Sequence, residues 1–467
     1  AHKLEVKGEN RSLFVQIHQF QHWFSYFPSP ELCKGSKFAM KIFLWLLFTN
    51  GAFGFSAVKQ TRLSQRKGCG MKMYVAEPEK SASSKRKVES KLKVDSTTLG
   101  NLRVPSVGIG TIAWSSDSLT RLENLELQSV VDSALDSDAA FFDTAERYGS
   151  NLKTAFGMGW GETETLISKL LVNTNRKTKP FIATKFTPTP WRNTAESVVQ
   201  ACEESCKRLG VDKIDLYQLH MPDIVKPFRA FGVDESNDEV YWDGLAECYN
   251  RGLVSNVGVC NYGPTLLKRC QEALEMKGVP LASNQIAYSL IGRHNGAQET
   301  VDFCNKEGIK VLAFFPFAMG ILTGKYTNAS SGAISEEMVT SLTTSKKTKL
   351  EEMDLHRYAH GDGKTIPVGG VSPLLQVMEE IAKKRGKTIA QVALNYIICK
   401  GAIPIPGART QAQVRDNIGA MGWRLSETEV LMLEHEADKL GFGFEGAGFK
   451  RTSEKFVGYG VERWTLD

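Results

Sequence analysis

Four short segments each put a chemically useful side chain at the end of an apolar run. They are Phe141-Phe142-Asp143-Thr144-Ala145-Glu146-Arg147-Tyr148-Gly149, Ile182-Ala183-Thr184-Lys185, Ile214-Asp215-Leu216-Tyr217-Gln218-Leu219-His220 and Val257-Gly258-Val259-Cys260-Asn261. Together they offer an Asp, a Tyr, a Lys and a His at successive strand ends. A phenol is a poor acid near neutral pH, with a free pKa of about 10. A neighbouring ammonium lowers that value, and a carboxylate holds the ammonium in place. Asp143, Tyr148, Lys185 and His220 are thus the parts of a proton donor for carbonyl reduction. Tyr148 is expected to protonate the carbonyl oxygen and Lys185 to lower its pKa. Asp143 is expected to pair with Lys185, and His220 to orient the carbonyl. Singly, each has a plainer reading: a loop cap, a packed ring, a solvated amine, a satisfied core imidazole. Their joint order carries the expectation.

These residues need a scaffold that gathers strand ends. Short apolar runs lie at 107–110, 140–143, 181–185, 214–219, 256–260, 283–287, 311–315 and 402–405. Helix-favouring stretches lie between them at 126–137, 162–172, 193–209, 239–250, 263–276, 297–307 and 373–399. Strand–helix alternation implies a parallel sheet. Eight units imply an α/β fold, a closed (β/α)8 TIM barrel, which needs about 250 residues. Residues 92–99, Gly100 and 102–104 read as a β-hairpin ahead of the first unit. In such a barrel catalytic groups sit at the carboxyl ends of strands. Asp143, Lys185, His220, Asn261 and Gln285 fall there, and Tyr148 follows in the second βα loop. Gly108-Ile109-Gly110-Thr111-Ile112-Ala113 matches a dinucleotide fingerprint, but that motif needs a helix starting at its glycines. Trp114-Ser115-Ser116-Asp117-Ser118 reads as loop instead, so the glycines are expected to let the first loop pass close to a cofactor.

Seven motifs in one order resemble the aldo-keto reductases over about residues 95–440. They are Asp143-Thr144-Ala145-Glu146-x-Tyr148-Gly149, Lys185, Leu219-His220-x-Pro222-Asp223, Gly258-x-Cys260-Asn261, Asn284-Gln285-x-x-Tyr288, Gly320-x-Leu322-x-Gly324-Lys325-Tyr326, and Ile403-Pro404-Ile405-Pro406-Gly407-Ala408-Arg409 with Asn417. The resemblance implies an NADPH-dependent oxidoreductase acting on an aldehyde or ketone, with the hairpin across the barrel floor. It implies that Asn261 and Gln285 hold the nicotinamide carboxamide and that Phe314 stacks on its ring. It places Lys325 on phosphate, and Arg409, Gln413 and Asn417 around the adenosine 2′-phosphate and adenine. An arginine there favours NADP over NAD, because a guanidinium contacts phosphate bidentately. Phe314-Phe315-Pro316-Phe317 departs from the family's Tyr or Trp followed by Ser-Pro-Leu, so Phe315 replaces a small hydroxyl that usually meets phosphate. Ala318, Met319 and backbone amides are left to carry more of that contact. Trp114 and Trp191 fall in loops of the active face, where they either touch substrate or fill the rim. Arg357 and Tyr358, in the long 327–372 loop, are candidates for a cofactor clamp and the substrate mouth. The alternative is a non-catalytic NADP-binding regulator resembling potassium-channel β subunits. These carry Asn at the histidine position, so His220 favours an enzyme.

Charge divides the chain of 467 residues. Residues 1–94 carry 17 Lys and Arg against 6 Asp and Glu, a net of +11, while the remainder is net −5. The body therefore offers no nucleic-acid surface, and the expected partner is a small carbonyl compound. Three parts follow: an extension over 1–94, a barrel over 95–440 and a tail over 441–467. Met40-Lys41 opens onto the apolar run Ile42-Phe43-Leu44-Trp45-Leu46-Leu47-Phe48, the size of a signal-peptide core and too short to span a bilayer. No acidic residue lies between Met40 and Ala76, and Lys59, Arg62, Arg66, Lys67 and Lys72 are interleaved with Ser, Thr and Gln. That pairing resembles the bipartite leader of plastid proteins, with Ala52-Phe53 at the cleavage region; a secretory signal is the alternative. Residues 1–39 lack leader character, and 77–93 read as a disordered linker. No membrane is expected in the mature form. The nine cysteines show no metal-like pairing, which points to free thiols and no metal.

Overall fold

The computed structural model describes residues 95–114, 121–149, 160–174, 179–189, 191–223, 237–294, 296–325 and 370–440. The leader, the linker, Tyr326, Arg357, Tyr358 and the tail lie outside them. The chain enters as an antiparallel hairpin, β1 (Ser96–Leu99) and β2 (Leu102–Pro105), turning at Gly100 and Asn101. Gly100 has φ 55, and a Cβ there would sit 1.9 Å from Asn256 Oδ1. That oxygen is committed, since it accepts the Asn101 N–H at 3.0 Å. Leu99 and Val104 point off one hairpin face into a cluster with Phe141, Phe181, Ala183, Leu216, Ala282, Leu312, Ile403 and Ile405. The hairpin thus plugs the floor of the barrel.

Eight parallel strands follow: β3 (Ile109–Gly110), β4 (Phe141–Asp143), β5 (Phe181–Phe186), β6 (Leu216–Leu219), β7 (Val257–Cys260), β8 (Leu281–Ala287), β9 (Lys310–Phe314) and β10 (Ile403–Pro404). Each pairs with its sequence neighbour. The sheet closes because Gly108 N–H donates to Pro404 O and Gly110 N–H to Pro406 O, both at 2.9 Å, with a parallel bridge from Gly110 to Gly407. One rung of the seam is missing. Proline has no N–H to return, so Pro406 gives nothing to Gly108 O. Approach there is close. A Cβ on Gly108 would lie 2.5 Å from Ile405 Cδ1, and one on Gly110 3.2 Å from Ile405 O. The space these glycines leave is filled by the last strand. No helix begins at them, so the dinucleotide reading fails on geometry.

Among the described residues the outer layer comprises α1 (Arg121–Asp136), α2 (Glu162–Val172), α3 (Ala195–Leu209), α4 (Asp238–Asn250), α5 (Pro264–Glu275), α6 (Ala297–Glu307), α7 (Ser372–Arg385), α8 (Ile389–Cys399), α9 (Gln411–Ile418) and α10 (Glu427–Asp438). Helix α3 shows the logic. Val198, Val199, Ala201, Cys202, Ser205, Cys206 and Leu209 form one buried stripe, and a Thr194–Ser197 capping box starts it. Burying one Val or Leu contributes about 1.5–3 kcal/mol, so Cys202 and Cys206 sit where packing wants small apolar groups. The expected single stretch 373–399 is two helices. Gly386, at φ 62, ends α7, and a Thr388–Gln391 capping box starts α8. Helix α10 was not read from the sequence, although Ser426 and Glu429 form its capping box. Among the described residues no helix is long and apolar enough to cross a membrane.

Candidate active site

Strand alternation builds the site. Phe141, Phe181, Ala183 and Leu216 all belong to the floor cluster. Counting in twos from them reaches Asp143, Lys185 and Gln218 one layer up, then His220 at the rim. Lys185 is fully buried, and its Nζ has three neighbours. It donates to Asp143 Oδ2 at 2.7 Å, Thr144 O at 2.7 Å and Tyr148 OH at 3.2 Å. Its charge also lies 4.8 Å from the Tyr148 ring centroid. Asp143 is held from the far side of the barrel, where Gln285 Nε2 donates to Oδ1 at 2.8 Å. The His220 ring stands edge-on to Tyr148, with centroids 5.8 Å apart and planes at 73°. The structure therefore gathers all four sequence-predicted catalytic residues at the carboxyl end of the barrel.

The electrostatics select protonation states. Burial pushes the Tyr148 phenol up to about 12; Lys185 pulls it down and Asp143 pushes it up again. The expected lowering by Lys185 is present, but desolvation outweighs it, so the phenol keeps its proton at neutral pH. Burial also opposes charge on Lys185, yet Asp143 and then Tyr148 more than offset it, and the ammonium is raised above its usual range. His220 is driven well below its usual range by burial, then by the charges of Lys185 and Arg147. It is neutral. Removing one member of a buried pair such as Asp143–Lys185 costs about 3–5 kcal/mol, because the other charge is stranded.

The other predicted residues divide. Asn261 has φ 67; its N–H donates to Gln285 O at 2.8 Å and its Nδ2 to His220 O at 3.2 Å. It ties three strand ends together beside the tetrad. Phe314 ends β9, edge-on to Phe315 at 5.0 Å. Phe315 and Ala318 take φ of 53 and 46, and a short 3-10 helix, Ala318–Thr323, follows. Lys325 is exposed just beyond it. Arg409 is exposed before α9, and Gln413 spends its Oε1 on the Arg409 and Thr410 N–H groups at 2.7 and 3.3 Å. One turn on, Asn417 is buried and its Nδ2 has no hydrogen-bond partner. A buried unpaired amide costs about 1–3 kcal/mol, so this position suits a ligand that offers an acceptor, as an adenine does. Trp191 is half-buried in the turn after β5. Of the two alternatives for Trp114, the structure shows packing. It is fully buried, packs on Phe142 at 6.0 Å, and donates its indole N–H to Ala408 O at 2.8 Å. It braces the loop that leads to Arg409.

A second ion pair went unread. Glu146 receives Arg192 Nη1 and Nη2 at 2.7 and 3.1 Å and the Thr187 N–H at 2.6 Å. Burial pushes the Glu146 carboxyl up, against the pull of Arg192. Three donors on its two oxygens keep it an acceptor. The Thr187 hydroxyl lies 3.3 Å from His220 Nδ1. Thr187 follows Lys185 by two residues, so strand alternation was the available signal.

In barrel enzymes the catalytic groups gather at the carboxyl rim, where this chain places its buried charges. The protein is an oxidoreductase of the aldo/keto reductase family, whose model matches residues 106–436. Over 347 residues it is 35% identical to the chloroplastic pyridoxal reductase of Arabidopsis thaliana, covering 73% of this chain and 85% of that one. It is 28% identical to the uncharacterized oxidoreductase YrpG of Bacillus subtilis, covering 71% and 92%. Among solved structures, an aldo-keto reductase of Bombyx mori in complex with NADP aligns at TM-score 0.51 and 21% identity, covering 74% and 93%. The glycerol dehydrogenase of Gluconobacter oxydans aligns at TM-score 0.56 and 21% identity, covering 75% and 97%. These two share the fold.

The buried neutral imidazole has a measurable consequence. His220 has its folded pKa depressed below the free value of about 6.5. Below that pH the unfolded chain binds a proton that the folded chain refuses, so stability falls as pH falls. The slope is at most about 1.4 kcal/mol per pH unit. Urea unfolding at pH 7 and pH 5 should show a smaller acid loss in His220→Gln than in the parent. Equal losses would show that His220 accepts a proton in the folded state.

Proposed function

We propose that the protein reduces an aldehyde or ketone to an alcohol with NADPH, with Tyr148 as the proton donor. The observation that carries this reading is Lys185 Nζ, 2.7 Å from Asp143 and 3.2 Å from the phenol oxygen. Because the phenol oxygen accepts from Lys185, its own hydrogen is left for another acceptor. His220, neutral, adds a donor or acceptor beside it without adding charge. Bound NADPH would supply the hydride. Asn261 and Gln285 are the groups for its carboxamide and Phe314 the flat surface for its ring. Lys325 and Arg409 are the cations for its phosphates, and the unpaired Asn417 Nδ2 suits its adenine. Pyridoxal is the first substrate to try, since the Arabidopsis relative carries that name. The same relative is chloroplastic, which agrees with a plastid leader in the basic, acid-free stretch 40–76.

Tyr148→Phe removes only the phenolic proton. Turnover should fall about 10²–10⁴-fold, the usual worth of general acid catalysis, while NADPH binding followed by fluorescence stays within about twofold. Near-parental turnover would sink the assignment.

Arg409→Ala should weaken NADPH far more than NADH. A charge-assisted contact of about 1.5–3 kcal/mol corresponds to roughly 10–100-fold in Kd. An unchanged NADPH-to-NADH ratio would move the 2′-phosphate site elsewhere.

A fluorescent fusion of residues 40–94 should enter plastids in a host with the bipartite import route. Retention in the cytosol would refute the targeting.

A further inference from the structure

The tetrad leaves one requirement open. A neutral imidazole has two tautomers, and only one presents an N–H from Nε2. The other nitrogen, Nδ1, faces Thr187. Thr187 Oγ1 is 3.3 Å from His220 Nδ1, and Thr187 is buried. Among the described residues the hydroxyl has no other hydrogen-bond acceptor.

Thr187 itself is gripped at both ends of its backbone. Its N–H donates to Glu146 Oε1 at 2.6 Å, and its carbonyl accepts from Arg192 Nη1 at 3.2 Å. Arg192 and Glu146 are joined by the two contacts already given, so one ion pair holds both peptide groups. The guanidinium is fixed in turn over two rings, 4.2 Å from Phe186 and 5.0 Å from Trp160. A guanidinium held over two aromatic rings and forked onto a carboxylate has little freedom left. The His220 main chain is pinned as well, its N–H on Phe186 O at 2.8 Å and its carbonyl under Asn261 Nδ2. Hydroxyl and imidazole are therefore presented to each other by two segments joined through the Phe186–Thr187 peptide, whose carbonyl holds His220 and whose N–H is held by Glu146.

We propose that Thr187 is a positioning residue for His220: its hydroxyl donates to Nδ1 and so keeps the ring as the Nε2–H tautomer, ready to donate to a carbonyl oxygen. The alternative arrangement, Nδ1–H donating to Thr187, would leave the hydroxyl hydrogen buried without an acceptor. That costs about 1–3 kcal/mol, enough to set the tautomer ratio at roughly tenfold or more. The Glu146–Arg192 pair acts one step further out, by holding Thr187 in register with the ring.

The catalytic consequence rests on the carbonyl-reductase reading, but the test separates the two. It uses the full chain and three variants. Thr187→Val keeps the shape and loses the hydroxyl, Thr187→Ser keeps the hydroxyl, and His220→Gln identifies the His220 signals among the 8 histidines. Nitrogen-15 NMR of the imidazoles reads the tautomer with no cofactor or substrate present. Parent and Thr187→Ser should show the Nε2–H pattern, and Thr187→Val a mixture of both. With NADPH and an aldehyde, kcat in Thr187→Val should fall in proportion to the lost Nε2–H population, about twofold for an even mixture, with KM and NADPH affinity little changed, and Thr187→Ser should restore it. A parent ring in the Nδ1–H form overturns the proposal, as does an unchanged ring in Thr187→Val. If Thr187→Val does not fold, the parent and Thr187→Ser spectra still decide. Absence of carbonyl reduction in the parent would remove the proposed function and leave the NMR result standing.

Discussion

A buried ammonium governs the upper half of this barrel. Taking a charge out of water costs several kcal/mol unless it is paired and its donors are satisfied. Lys185 has three N–H bonds and finds three oxygens, from Asp143, Thr144 and Tyr148. Each partner is thereby constrained. Asp143 must keep its carboxylate turned inward, which the Gln285 amide enforces from across the barrel. Tyr148 must present its oxygen, not its hydrogen, to the lysine. The geometry of the phenol is a by-product of satisfying one lysine.

That satisfaction requires closure. Asp143 stands on β4 and Gln285 on β8, half the sheet away, and they meet at 2.8 Å because the sheet curls shut. The seam is the weak point, since Pro406 cannot return a bond to Gly108. Two glycines compensate by allowing close approach, and the floor hairpin adds Leu99 and Val104 to the packing beneath it. Trp114 closes the upper side through Ala408. The residue before Arg409 is thus tied to the first βα loop, and any ligand held by Arg409 depends on that tie.

Apolar runs that end in Asp143, Lys185 and His220 made three of the tetrad legible in the sequence, and Tyr148 came with the motif that follows Asp143; strand alternation explains why a strand that buries Phe181 and Ala183 inward also buries Lys185. Eight apolar runs sufficed for the barrel. What stayed hidden depended on contacts between distant segments. Trp114 sits in a loop, and nothing local says that its indole reaches residue 408. Arg192 stands after Lys185 with no periodic cue, and its pairing with Glu146 exists only once β4 and β5 lie side by side. Gly108 and Gly110 were read toward a cofactor, whereas in the structure Ile405 occupies the space. Gly386 and Thr388 were ordinary helix stop and start signals, but they are close together within a long apolar-periodic stretch, so one helix masked two.

The charge pattern explains why the site holds donors that are neutral. Burial, and then the charges of Lys185 and Arg147, keeps His220 unprotonated, and burial keeps Tyr148 protonated. The Cys260 thiol is raised by the same desolvation and stays protonated too. One balanced ion pair is therefore surrounded by uncharged hydrogen-bonding groups. An oxyanion developing at the mouth would meet the phenol O–H with Lys185 directly behind it, in a region where water screens little. A charged imidazole would compete with that lysine for the phenol oxygen and weaken the direction of proton transfer. A neutral ring can only orient, and which way it orients falls to the side chain on its Nδ1 edge.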